Sequence, residues 1–129
     1  MKLRKADLTE IDQLLQIRKI QLQDEGQRPD TNMDGELRRF FQDKMRDGEL
    51  VEWVAEDQEG KIIATAAIQF MEFPPAFTNP TGRKGYITNM YTSDEYRGRG
   101  LAGQLMQKLE QEARNRDVTT LLSQVQIVV

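Results

Sequence analysis

The 129-residue sequence contains neither cysteine nor histidine. Without thiols there can be no disulfide, no thiolate zinc site and no cysteine nucleophile, and no metal-ligand pattern is present. Without imidazole, acid–base work falls to carboxylates, tyrosine, lysine, hydroxyls or the backbone. There is no basic excess either: 18 Lys and Arg stand against 21 Asp and Glu, a net charge of −3. A chain of that balance lacks the footprint that tracks nucleic-acid phosphates, and no nucleic-acid partner is expected. No stretch approaches the roughly 20 apolar residues of a membrane span, and "MKLRKADLTE" has no apolar run after its charges. The expectation is a soluble, cytoplasmic protein. Repeats and low-complexity segments are absent, and the length predicts one domain, residues 1–129.

What is present alternates between helical and extended patterns. "KLRKA" reads as a short strand, and Asp7 with Glu10 three residues later marks a capped helix start. Leu8, Ile11, Leu14, Leu15 and Leu22 then keep helical spacing as far as "DEGQRPD". A second helix is predicted over about 31–46 from Leu37, Phe40, Phe41 and Met45. From Leu50 the period becomes two, with Val51, Trp53 and Ala55 on one side and Glu52 and Glu56 on the other. "DQEGK" is a turn, and "IIATAAIQFMEF", apolar on both faces at its start, is a central strand that closes a hairpin. After the loop "PPAFTNPTGRKG" come a fourth strand, "YITNMYTS", a helix, "GLAGQLMQKLEQEAR", and a fifth strand, "TTLLSQVQIVV". The fold class is therefore α/β with a mixed sheet, in the order β-α-α-β-β-β-α-β.

Between the fourth strand and its helix lies "YRGRGLAG", residues 96–103. A strand, a glycine-rich turn and a helix start gather unpaired N–H groups, and the helix end adds partial positive charge, so such a place binds phosphate. Gly98 and Gly100 allow dihedrals or close approaches that a Cβ obstructs, and Arg97 and Arg99 can add charge-assisted contacts to phosphate oxygens. The same turn could also be purely structural. The spacing matches neither G-x-x-x-x-G-K-[ST] nor G-x-G-x-x-G, which leaves nucleotide P-loops and dinucleotide folds unsupported.

Residues 86–114 resemble the acetyl-CoA-binding segment of the GNAT family of N-acetyltransferases. The family's signature [QR]-x-x-G-x-[GA] is matched by Arg97-Gly98-Arg99-Gly100-Leu101-Ala102 at the junction the family requires, and the order of elements is similar along essentially the whole chain. The resemblance implies the GNAT-like acyl-CoA N-acyltransferase fold, with acetyl-CoA held by backbone N–H groups of Arg97, Gly98, Arg99, Gly100, Leu101, Ala102 and Gly103. It implies that main chain at Met90, Tyr91 and Thr92 pairs with the pantetheine arm, and that a bulge there splays the fourth and fifth strands and frees an N–H for the thioester carbonyl. The activity implied is direct attack of a primary amine, of a small molecule or peptide, on acetyl-CoA.

The sequence departs from the pattern twice. Where histone-modifying members carry a glutamate, eleven residues before the motif, this chain has Tyr86; the catalytic candidates are therefore Tyr86 and Glu72, at the end of the third strand, acting directly or through a water. Asn89 is left with two readings, a hydrogen bond within the strand or one to substrate. The resemblance also implies a final helix, with a tyrosine that protonates the leaving thiolate, and two further strands, and nothing after "TTLLSQVQIVV" corresponds to them. The expectation is a C-terminally shortened member with an exposed apolar last strand, and hence a homo-oligomer joined through it. The alternative is a catalytically impaired acetyl-CoA-binding or oligomerisation protein. Loop 73–84 and the first two helices would border the acceptor.

Overall fold

The computed structural model describes residues 1–123. Its strands are β1 (Lys2–Lys5), β2 (Leu50–Glu56), β3 (Ile62–Glu72), β4 (Arg83–Thr92) and β5 (Leu121–Ser123), and its helices α1 (Ile11–Asp24), α2 (Asp34–Arg46) and α3 (Leu101–Asn115). One sheet runs in the order β1-β2-β3-β4-β5. The first four strands are antiparallel neighbours, whereas β5 lies parallel to β4. A parallel neighbour needs a crossover, and α3 supplies it.

The pleat of β2 sorts its apolar residues to two cores. Leu50 and Val54 face Ile11 and Leu14 of α1 and Phe41 of α2. Val51 and Ala55 face Leu101, Leu105, Leu109 and Ala113 of α3. Helices on both faces explain why β3 is apolar on both of its own. They also change the meaning of Glu52, on the polar side of β2 by its alternation: α1 and α2 cover that side, and Glu52 is 3% exposed.

Local chemistry sets the boundaries. The Asp7 cap forms as expected: Thr9 N–H donates to Asp7 Oδ1 at 2.9 Å, and Asp7 N–H donates to Glu10 Oε1 at 3.0 Å. The cap opens a 3₁₀ turn, Leu8–Glu10, before α1 begins. Arg4 ties this turn to the sheet by contacting Glu10 at 2.7 Å and Glu56 at 2.9 Å, which holds the Glu10 carboxyl below its ordinary range. Helix α2 starts at Asp34 rather than near 31 because Asn32 Oδ1 accepts from Asp34 N–H at 3.1 Å and keeps the preceding residues in a turn. Strand β4 starts at Arg83, before "YITNMYTS", because the ladder with β3 continues through Lys84↔Met71 and Arg83↔Glu72, the last an opposite-charge pair. The part of the expected fifth strand after Ser123 lies outside the described residues.

Candidate functional site

Ala67 pairs with Thr88 and Thr65 with Tyr91, so Asn89 and Met90 together oppose Ala66. This is a β-bulge, the extra residue of which interrupts the ladder and re-aims the strand. Asn89 takes φ of 54°, the left-handed region that asparagine enters at lower cost than most residues. Two buried side chains fasten it. Asn89 Nδ2 donates to Glu52 Oε1 at 3.1 Å, and Thr65 Oγ1 donates to the Asn89 carbonyl at 2.7 Å.

Beyond the bulge β4 ends at Thr92, a 3₁₀ turn covers Asp94–Tyr96, and Gly98 and Gly100 take φ of 77° and 79° to swing the chain into α3. A side chain would be strained at either glycine. The start of α3 is bare. Its N-cap Gly100 offers no side-chain acceptor and its first turn has no acid, whereas α1 is preceded by a capping box and α2 carries Asp34 and Glu36 in its first turn. The N–H groups of Gly98, Arg99, Gly100, Leu101, Ala102 and Gly103 find no protein acceptor among the described residues. Unpaired donors in a row at the positive end of a helix dipole favour an anion.

These donors open on a cleft of about 580 Å³, a volume usual for a small-molecule site. Its walls are Met90, Tyr91 and Thr92 of β4, the turn from Tyr96 to Gly98, Gly100 to Ala102, Thr65 of β3, Gln21 and Asp24 of α1, and Glu25 just after it. The structure thus brings the predicted strand and turn residues to one cavity; Arg99 and Gly103 flank it without lining it. The arginine side chains are engaged elsewhere. Arg97 Nε donates to the Thr92 carbonyl at 3.0 Å, while its Nη1 lies 3.1 Å from Asp94 and its Nη2 3.8 Å from Asp24. Arg99 stacks on Tyr96, 5.1 Å from the ring centre. The free donors of the turn are thus the backbone N–H groups from Gly98 onward and the Arg99 guanidinium, which stacks without a hydrogen bond among the described residues, whereas the Arg97 N–H donates to the Asp94 carbonyl at 3.4 Å.

The catalytic candidates are placed differently. Tyr86 is half-buried on the same sheet face as Thr88 and Tyr91, about 10 Å along β4 from the bulge at ordinary strand rise. Glu72 is exposed, opposite Arg83, roughly 24 Å along β3 from Thr65. The fold does not bring Glu72 to the cleft. Asn89 follows neither of its two readings: its amide donates across the sheet to Glu52 of β2 rather than within its own strand or into the cleft. Glu52, Thr65 and Gln21 are buried polar residues that the sequence did not signal, because the alternation in "VEWVAE" gives a glutamate no sign of which face will be covered.

Comparison with known proteins agrees with this geometry. The sequence model of the acetyltransferase (GNAT) family matches residues 12–127. No curated protein matches the chain significantly. Among solved structures, a predicted acetyltransferase from Clostridium acetobutylicum, crystallised with acetyl-CoA, is 49% identical over 95% of this chain and 79% of its own, with a TM-score of 0.92. A GCN5-related N-acetyltransferase from Ralstonia eutropha is 24% identical over 95% of this chain and 81% of its own, with a TM-score of 0.86. Glucosamine-6-phosphate N-acetyltransferase from Arabidopsis thaliana is 22% identical over 95% and 80%, with a TM-score of 0.69. The last two share the fold. The chain belongs to the GNAT family of acetyltransferases.

Proposed function

We propose that the protein transfers the acetyl group of acetyl-CoA to a primary amine of a small molecule or peptide by direct attack of the amine. The observation that carries this reading is the run of unpartnered N–H groups from Gly98 to Gly103, which fits a diphosphate and is left uncapped in a chain that caps or acidifies its other helix starts. Acetyl-CoA supplies an activated thioester. The chain's own contribution is to hold it: donors of the turn for the diphosphate, main chain of Met90 to Thr92 for the extended arm, and backbone at the bulge for the carbonyl oxygen. A route through a cysteine acyl-enzyme is closed by composition. Of the two proton-transfer candidates, Tyr86 is favoured by its sheet face and by its shorter reach along the strand. Its effect is read from the pH–rate profile of Tyr86→Phe.

Calorimetric titration with acetyl-CoA, followed by thiol release over a panel of amines, tests the reading. Micromolar binding with amine-dependent thiol release is expected. Binding without release on any amine would leave an acetyl-CoA-binding protein, and no binding would overturn both readings. Gly100→Val puts a branched side chain at φ of 79° in the middle of the donor run and should weaken binding at least tenfold, about 1.4 kcal/mol, in a folded protein. Self-association is supported by the position of β5, last in the sheet order among the described residues. A monomer by light scattering at tens of micromolar would reject it.

A further inference from the structure

Gln21, Glu52, Thr65 and Asn89 are the buried polar side chains among the described residues, and three of them converge on one point of main chain, the bulge of β4. Packing gives no reason for a carboxyl at position 52. Its strand neighbours on that face, Leu50 and Val54, belong to the apolar core under α1 and α2, and a leucine in its place would extend that core. No ion pair compensates it within 4.0 Å among the described residues; the charge that reaches it is Arg18 of α1. A buried carboxyl costs free energy unless its hydrogen bonds repay it.

The hydrogen bond of the Glu52 carboxyl comes from a residue in an unusual conformation. A left-handed backbone costs an L-residue roughly 1–2 kcal/mol, and glycine would adopt it freely. Glycine, however, offers no side chain by which the bulge can be fastened. Asn89 is fastened at both ends, its amide to Glu52 and its carbonyl to Thr65, with exposures of 6%, 3% and 1% for Asn89, Glu52 and Thr65. The residues that follow, Met90 to Thr92, line the cleft, as does Thr65 itself.

We propose that Glu52, Thr65 and Asn89 form a positioning lock for acyl transfer: the Glu52 carboxyl and the Thr65 hydroxyl hold Asn89 in its left-handed conformation and thereby aim the main chain of Met90–Thr92 at the bound thioester. These residues touch no reacting atom; they act through the backbone they fix. The inference rests on the acetyltransferase reading above. Burial pushes the Glu52 carboxyl up to about 8, so near neutral pH it is mostly an uncharged acceptor, a part that glutamine can also play.

The test measures acetyl-CoA affinity by calorimetry and kcat on one responsive amine, at a temperature well below every variant's Tm. Glu52→Leu fills the space without an acceptor and is expected to weaken acetyl-CoA binding at least tenfold and to lower kcat, while Glu52→Gln stays within about threefold of the parent affinity. Should Glu52→Leu fail to fold, Asn89→Gly replaces it: glycine accepts φ of 54° without strain and keeps the carbonyl that Thr65 holds but loses the bond to Glu52, and the same tenfold loss is expected. A folded Glu52→Leu or Asn89→Gly with parent affinity and kcat overturns the lock, whatever its Tm, because a purely structural role moves Tm alone. Equal losses in Glu52→Gln and Glu52→Leu also overturn it. Absence of acetyl-CoA binding by the parent chain overturns the acetyltransferase reading and the lock with it, and is seen before any variant is made.

Discussion

A carboxyl set among Leu50, Val54 and Ala67 has lost its water, and the loss is not balanced by a neighbouring charge. Burial raises Glu52 from 4.5 to about 8, opposed by the hydrogen bond from Asn89 and the charge of Arg18. Below 4.5 the carboxyl is protonated in folded and unfolded chains alike. Between 4.5 and about 8 the folded chain keeps a proton that the unfolded chain has released, so this group's contribution to stability falls as pH rises through that window and is gone above about 8. Glu52→Gln removes the titration. Its stability relative to the parent should therefore climb from pH 5 to pH 9, by on the order of a few kcal/mol, as read by urea melts at each pH. A difference that stays flat with pH would show that the carboxyl is not held protonated by the fold. At this scale the sequence showed that Asn89 was worth singling out, but its partner lies 37 positions away and only the fold joins them.

Among the elements, α3 is built with a conflict in it. Leu101, Leu105, Leu109 and Ala113 bury one face completely, yet the first turn lacks the cap and the acids that would satisfy its donors. Ala102 is exposed there, and Ala102→Glu should stabilise the helix through its dipole by about 0.3–1 kcal/mol. The same carboxylate would repel a diphosphate. Acetyl-CoA affinity is expected to fall at least tenfold, less at high salt, while Ala102→Gln loses little. A variant more stable and equally tight would remove the phosphate from this turn. The helix itself was legible in its period of apolar residues, and so was the turn in its glycines. The engagement of Arg97 with Asp94, Asp24 and the Thr92 carbonyl was not: Thr92 and Asp94 are local, but the turn geometry that folds the side chain back onto them is not written in the glycines, and Asp24 comes from α1.

For the molecule as a whole, ligand and fold are linked. A cleft whose walls come from α1, β3, β4 and α3 exists only in the folded chain, so acetyl-CoA at a hundred times its Kd should add about 2.7 kcal/mol to stability. In a domain of this length that is a rise in Tm on the order of 10 °C. Coenzyme A, which keeps the diphosphate, should give most of the shift, and acetate none. An unmoved Tm at saturating acetyl-CoA would mean that the walls do not close on it.

The sequence by itself determined the order of elements, the central place of β3, the cap at Asp7 and the glycine turn, because each is written in residues close together along the chain and obeys local rules of period, capping and φ. The tertiary structure alone decided which side of β2 is covered, and with it that Glu52 is buried and its carboxyl pushed up by desolvation. It also decided that Asn89 is held from β2 and β3, and that Glu72 stands at the far end of the sheet from the cleft. The reason is physical: desolvation and long-range hydrogen bonds depend on what packs against a residue, and a single strand carries no record of its neighbours.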